Sequence, residues 1–282
     1  MAKKQMDEMS FLDHLEDLRW HLVRATVSIF IAAILAFIFK KFIFEVVIFG
    51  PTHMSFPTYE GLCKVSQFFG MTDTTFCAAE FPFIIQSRTF AGQFSAHIWT
   101  SIYAGFIVSF PYVLYQLWSF ISPGLKSSER KNSRGFIVIA SLLFFLGVLF
   151  GYYIVTPLSI NFLANYQISD QIQNEFDISS VIALVRSSSL ASGFVFELPI
   201  IIYFLTKVGL VTPQILKKYR KFALVIVLVL SAVITPPDIA SQVIVAIPIL
   251  ILYQVSIYIS KIVVRNQARK TARELKKTKV KS

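Results

Sequence analysis

The sequence predicts an all-α, polytopic membrane protein with six transmembrane helices, the fifth and sixth short, and both termini cytoplasmic. Three observations carry that expectation. Of 282 residues, 55% are hydrophobic and only 15% charged, with 28 Phe and a mean hydropathy of +0.64, too apolar for a surface that meets water on every side. The apolar residues fall in runs long enough to cross about 30 Å of hydrocarbon, which takes roughly 20 helical residues. The basic residues gather on one side of those runs. The same figures exclude intrinsic disorder, which needs few large apolar residues. They also exclude nucleic-acid binding, because the net charge of +11 does not sit on a folded polar domain.

The first run, Leu22 to Phe39, follows about twenty polar residues and is too long for a cleavable leader, so it reads as a retained span that continues toward Phe49 past Lys40 and Lys41. Phe94 to Ile121, Phe136 to Pro157 and Val181 to Leu205 are the second, third and fourth spans. Phe222 to Ile234 is a shorter fifth run, covering only ~20 Å at 1.5 Å per residue. The turn Thr235-Pro236-Pro237-Asp238 separates it from the sixth, Ile239 to Ile259, because two prolines fix φ and remove donors. Such a short pair should thin the bilayer or lean on the other helices. Pro111, Pro123 and Pro199 are the other expected kinks and helix ends. One membrane domain, residues 1–262, is then followed by a basic, disordered cytoplasmic tail, residues 263–282.

Orientation follows from Lys and Arg counted by side. A cytoplasmic N-terminus places 22 of the 27 on the inner side and four outside (Lys40, Lys41, Lys64 and Arg88), with Arg186 left inside the fourth span. The tail residues serve topology and contact with anionic lipids. No internal repeat is visible, which weighs against inverted-repeat transporters. The long outer loop, residues 50–93, holds Cys63 and Cys77, and its oxidising side leaves a disulfide and two free thiols both open.

Three features could carry function. Residues 10–21 form an amphipathic cytoplasmic helix with an apolar stripe at Phe11, Leu15, Leu18 and Leu22 and an acidic face at Asp13, Glu16 and Asp17. An acidic face on the basic side of a cationic protein points to a cationic partner, since a helix lying on anionic lipid would be basic. Glu129 is the one acid in the basic loop after Pro123-Gly124, where a helix-dipole role is the plain alternative. Glu197, in Phe196-Glu197-Leu198-Pro199, is an ionisable group inside an apolar span, where it costs ~2.5–3.5 kcal/mol or more unless it faces protein or water. Arg186, about 16 Å away along the helix, is too distant to pair with it and is expected to snorkel to the outer interface. Gln242 is the other deep polar side chain, and a helix–helix hydrogen bond is its plain reading. The four His residues lack metal-ligand spacing, no glycine-rich nucleotide loop is present, and no cofactor or enzyme activity is expected.

Taken together, the segments resemble the TatC family, the multi-span subunit of the twin-arginine protein translocase. The likeness rests on His14-Leu-Glu-Asp-Leu-Arg19, Phe110-Pro-Tyr-Val-Leu-Tyr-Gln-Leu-Trp-Ser-Phe-Ile-Ser-Pro-Gly-Leu125 with Glu129-Arg130, and Phe145-Leu-Gly-Val-Leu-Phe-Gly-Tyr152 with Pro157. It extends through Phe194-Val-Phe-Glu-Leu-Pro199, Thr235-Pro-Pro-Asp238 and Ser241-Gln242. The resemblance implies a signal receptor of the bacterial inner membrane that binds the Arg-Arg motif of signal peptides. It also implies assembly into an oligomer with single-span TatA/TatB-type partners and export of folded cargo on the proton-motive force. By position, Asp17 and Glu129 are then the signal-binding carboxylates, with Arg19 and Arg130 beside them, while Glu197, Thr235 and Gln242 form an intramembrane patch for a partner helix. Asp17 stands where the family usually has Glu, and the adjacent Glu16 is an alternative. The rival expectation is a proton-coupled small-solute transporter built on Glu197.

Overall fold

The computed structural model describes residues 11–68, 77, 81–121, 133–169, 171–235 and 238–281. Helix α1 (Phe11–Ile38) is followed by a π-helical turn (Phe42–Ile48), α2 (Pro57–Phe68), strand β1 (Phe83–Gln86) and α3 (Gly92–Ile121). Helix α4 (Ser133–Phe150) runs through a second π-helical turn (Gly151–Val155) into α5 (Thr156–Asn165), and β2 (Asn174–Asp177) leads into α6 (Ile178–Phe196) and α7 (Leu198–Lys207). The chain ends in α8 (Pro213–Lys218), α9 (Arg220–Ile234) and α10 (Ile239–Lys281).

Among the described residues, five helices are long and apolar enough to cross a membrane: Leu15–Ile38, Gly92–Ile121, Gly135–Asn165, Ile178–Lys207 and Ser241–Arg269. The 15-residue α9 is the short run expected fifth in order. Its partner run lies within a longer helix, Ser241–Arg269, that carries Pro248 inside it and continues past Lys261 into basic sequence. The stretch expected to be a disordered tail instead continues α10 to Lys281; Gln, Ala, Arg, Lys and Leu after Asn266 are strong helix formers. Gln267 Nε2 also donates to Lys207 O at 3.0 Å, tying that extension to the end of α7.

Neighbouring helices pack antiparallel through small residues, as expected where lipid supplies no hydrophobic drive for helix pairing. A Cβ on Gly105 of α3 would stand 2.6 Å from Ala33 N of α1. One on Gly147 of α4 would stand 2.6 Å from Ser192 O of α6. Only a hydrogen lets these backbones approach so closely. Between them, Phe110 and Phe144 stack with centroids 3.5 Å apart and rings inclined by 11°, joining α3 to α4.

The end of the bundle remote from Asp17 is closed by a cap. Strands β1 and β2 pair in parallel, Phe83 opposite Asn174 through Gln86 opposite Asp177. Tyr59 of α2 is wholly buried, its hydroxyl 2.9 Å from Pro51 O and 3.1 Å from Pro157 O. Burial pushes that phenol far above its usual range, so it stays a donor. Phe56 stacks on Tyr153 and Phe81 lies edge-on to Tyr59. Cys63 and Cys77 are joined in a disulfide with Cα atoms 5.2 Å apart, closing a 14-residue separation.

Asp177 fastens the cap to α6. Its carboxylate accepts from Ser179 N at 2.8 Å, capping the helix, and from Arg88 N at 3.2 Å, and Arg88 reaches Glu175 at 3.3 Å. The Ser179 and then the Arg88 backbone bonds hold the Asp177 carboxyl below the usual range. A depressed folded-state pKa means that this attachment is complete above the ordinary carboxylate range and lost as pH falls through the depressed value. Hydrogen exchange at Ser179 and Arg88, corrected for intrinsic rate, should therefore accelerate from about pH 6 to about pH 3, and Asp177→Ala should remove the pH dependence. Gly147→Ala should lower the thermal stability of the purified protein by about 1–3 kcal/mol through overpacking. Gly61→Ala, where a Cβ meets nothing within 4 Å, should not lower it.

Candidate functional site

Of the acidic segment, α1 makes a continuous extension of the first span rather than a separate surface helix. Leu15 is 44% exposed and Leu22 49%, so the apolar stripe faces outward, while the acidic side is half-turned toward α3. The reason is His21. Its side chain is only 13% exposed, with Nδ1 2.6 Å from Gln116 Oε1 of α3 and the ring edge-on to Phe120. The other ring nitrogen lies 3.8 Å from Asp17 Oδ1, one turn away on the same helix.

Asp17 is thereby held at the terminus of α3 with its carboxyl about half accessible, at 48% exposure. Glu16 and Arg19 are exposed beside it, and Trp20 presents an exposed indole. The expected partners Glu129 and Arg130, and the helix-ending Pro123, lie outside the described residues, as do Pro236 and Pro237. Sequence reasoning missed His21 and Gln116 as positioning groups. The signal was there in part, since His21 stands four residues from Asp17, but its partner is 95 positions away.

Glu197 occupies the break between α6 and α7, with Pro199 in the first turn of α7. The expected break beside Pro199 falls inside one span, Ile178–Lys207: Glu197 N–H donates back to Phe194 O at 3.1 Å, and Glu197 O accepts from Ile200 and Ile201 N at 3.0 Å each. The carboxyl side chain is buried, and Oε1 has no hydrogen-bond partner among the described residues. The flanking Val195 and Leu198 pack on the Val155, Val227, Val245, Ala246 and Ile249 core, which belongs largely to α9 and α10.

That two-helix unit holds the remaining predicted polar residues. Thr235 Oγ1 donates to Ser231 O at 2.8 Å and is buried. Gln242 Nε2 of α10 donates to Leu228 O of α9 at 3.0 Å, a helix-to-helix bond that fixes their pairing. Pro111 is carried inside α3 without interrupting it. Arg186 lies with its guanidinium 4.7 Å from the Tyr103 ring centroid and with Nε and Nη1 buried. Attraction of the cation to the ring face accounts for that course.

The family model for the Sec-independent protein translocase protein (TatC) matches residues 13–248. The chain belongs to the TatC family. Among curated relatives, the TatC protein of Blattabacterium sp. subsp. Periplaneta americana is 45% identical over 92% of this chain and 97% of its own length. That of Aquifex aeolicus is 34% identical over 92% and 98% respectively. TatCy of Bacillus subtilis is 31% identical over 96% of each. A crystal structure described as the twin arginine translocase receptor TatC superposes with a TM-score of 0.65 at 30% identity, covering 89% of this chain and 99% of that one. A second, of the same receptor in DDM, gives 0.67 at 33% identity, with 88% and 99% covered. This TatC-family chain is thus a multi-pass membrane component of the twin-arginine translocase, a protein-transport role.

The unpartnered Glu197 carboxyl makes a measurable statement about stability. A buried polar atom left without a partner costs about 1–3 kcal/mol. Glu197→Leu should therefore raise the thermal stability of the isolated, purified chain, read from its melting temperature in detergent.

Proposed function

We propose that this chain is the signal receptor of its translocase and reads two adjacent arginines with two carboxylates, Asp17 on α1 and Glu129 in the loop after α3. The observation that carries this reading is the half-accessible Asp17, braced through His21 and Gln116 at the helix end from which that loop departs. A guanidinium fork matches a carboxylate in a bidentate way that lysine cannot reproduce. Two acids on separate elements therefore select Arg-Arg over Lys-Lys. Glu16 is the alternative contact to Asp17, and Arg19 and Arg130 set the local charge between the acids.

On this reading both termini are cytoplasmic, as the one-sided Lys and Arg require. Glu197, Thr235 and Gln242 then form the intramembrane contact for single-span TatA/TatB-type partners. A buried acid without an internal partner, beside a helix pair whose short member is 15 residues long, supports that assignment. Assembly with further copies of this chain and export driven by the proton-motive force complete the proposed role, and the basic end of α10 rests on anionic lipid.

Crosslinking of a photoreactive Arg-Arg signal peptide to the membrane-embedded chain tests the site. Glu129→Ala should reduce crosslinking at least tenfold, since hydrogen bonds to charged groups are worth about 1.5–3 kcal/mol. Asp17→Ala, at a half-exposed carboxylate whose pair is worth up to about 1 kcal/mol, should reduce it up to about fivefold. A Lys-Lys peptide should crosslink weakly to the unmodified chain. Equal crosslinking in both variants would remove the assigned site. Solute flux through liposomes holding this chain alone would favour the transporter role for Glu197 instead.

A further inference from the structure

One cavity in the bundle is not used by the reading above. It has a volume of about 560 Å³ and lies between α1, α3, α4 and α6, on the half of the bundle nearer the cap. Its walls are almost wholly apolar, including Leu35 and Phe39 of α1, Ile107 of α3, and Val148 and Leu149 of α4. Against that background stand Arg186 and Thr100. Nε and Nη1 of Arg186 and Oγ1 of Thr100 are buried and without a hydrogen-bond partner among the described residues. The Tyr103 ring lies 4.7 Å from the guanidinium and orients it.

A cation inside an apolar wall is retained where it meets an anion or water, and an arginine fork matches a phosphate in particular. The volume is in the range of pockets that enclose one small amphiphile, about 300–1,000 Å³. Arg186 is eight residues from the start of α6, or about 12 Å along the helix, which is within the leaflet on the cap side. An acyl chain and a phosphate arriving together from that leaflet answer both the apolar wall and the unpaired guanidinium.

We propose that this cleft binds one phospholipid, its acyl chain filling the space between α1 and α4 and its phosphate held by Arg186 with Thr100 alongside. The lipid then wedges α1 and α3 against α4 and α6, two pairs that the Phe110–Phe144 stack joins elsewhere.

Native mass spectrometry of the detergent-purified full chain, titrated with palmitoyl-oleoyl-phosphatidylglycerol, tests the site. One lipid should remain bound to the unmodified chain. Arg186→Gln should weaken retention at least tenfold, and Arg186→Lys less. Ala104→Trp, which fills the cleft without touching the charge, should weaken it comparably. Circular dichroism and gel filtration identify any variant that fails to fold, and two competition arms on the unmodified chain need no variant. Inorganic phosphate alone should not displace the lipid, and a diacylglycerol without phosphate should bind at least tenfold more weakly. Displacement by inorganic phosphate would make this a free-anion site and overturn the proposal. So would equal binding of the diacylglycerol, equal retention by folded Arg186→Gln, or a photocrosslinker at Tyr103 that captures a partner helix and no lipid.

Discussion

A polar group inside hydrocarbon must find a partner within the protein or cost several kcal/mol, and this constraint organises the whole structure. Several hydroxyls in the spans meet it locally. Ser109 donates to Gly105 O at 2.7 Å, Thr156 to Gly151 O at 2.9 Å, and Ser256 to Leu252 O at 2.7 Å. Others meet it between helices and so become joints: Thr206 with Ser260 links α7 to α10, and Gln242 with Leu228 links α10 to α9. Against that background the unpartnered groups stand out. Glu197 and Arg186 are the charged ones among the described residues, and each lies at a place where the helix bundle is interrupted or hollow.

The same constraint explains the division of labour between the two ends of the molecule. The end remote from Asp17 is locked by groups that cannot shift independently: a buried Tyr59, a parallel strand pair, an Asp177 cap and a disulfide. At the other end Asp17, Glu16 and Arg19 project from a single helix, steadied by one imidazole-to-amide contact. Rigid backbone under accessible charge is the arrangement a recognition surface requires, since charges held in place lose little entropy when a partner arrives.

Packing through glycine and serine gives the bundle its close approaches but leaves little freedom to repack. Where α4 and α6 touch, backbone meets backbone, and where α1, α3, α4 and α6 splay apart, the space is lined by large aliphatic side chains. Close contact on one level and a cavity on the next therefore occur among the same four helices.

Much of this was legible in the sequence. Run lengths located the spans because a bilayer of fixed thickness demands a fixed number of apolar residues. The oddity of Glu197 was visible because a charge in such a run has no bland explanation. The acidic face of the first helix could be read from its period, but not its direction. Periodicity says which residues share a face, whereas the His21 to Gln116 contact, made across 95 positions, decides which way that face turns. The stacked position of Arg186 was likewise settled by a neighbour remote in the chain, whereas the helical tail, the break at Glu197 and the disulfide rest on residues nearby in sequence. Sequence alone determined what must leave water, since hydrophobicity is a property of each residue. Only tertiary structure decided which polar groups would find partners there, since a hydrogen bond or an ion pair belongs to two residues at once.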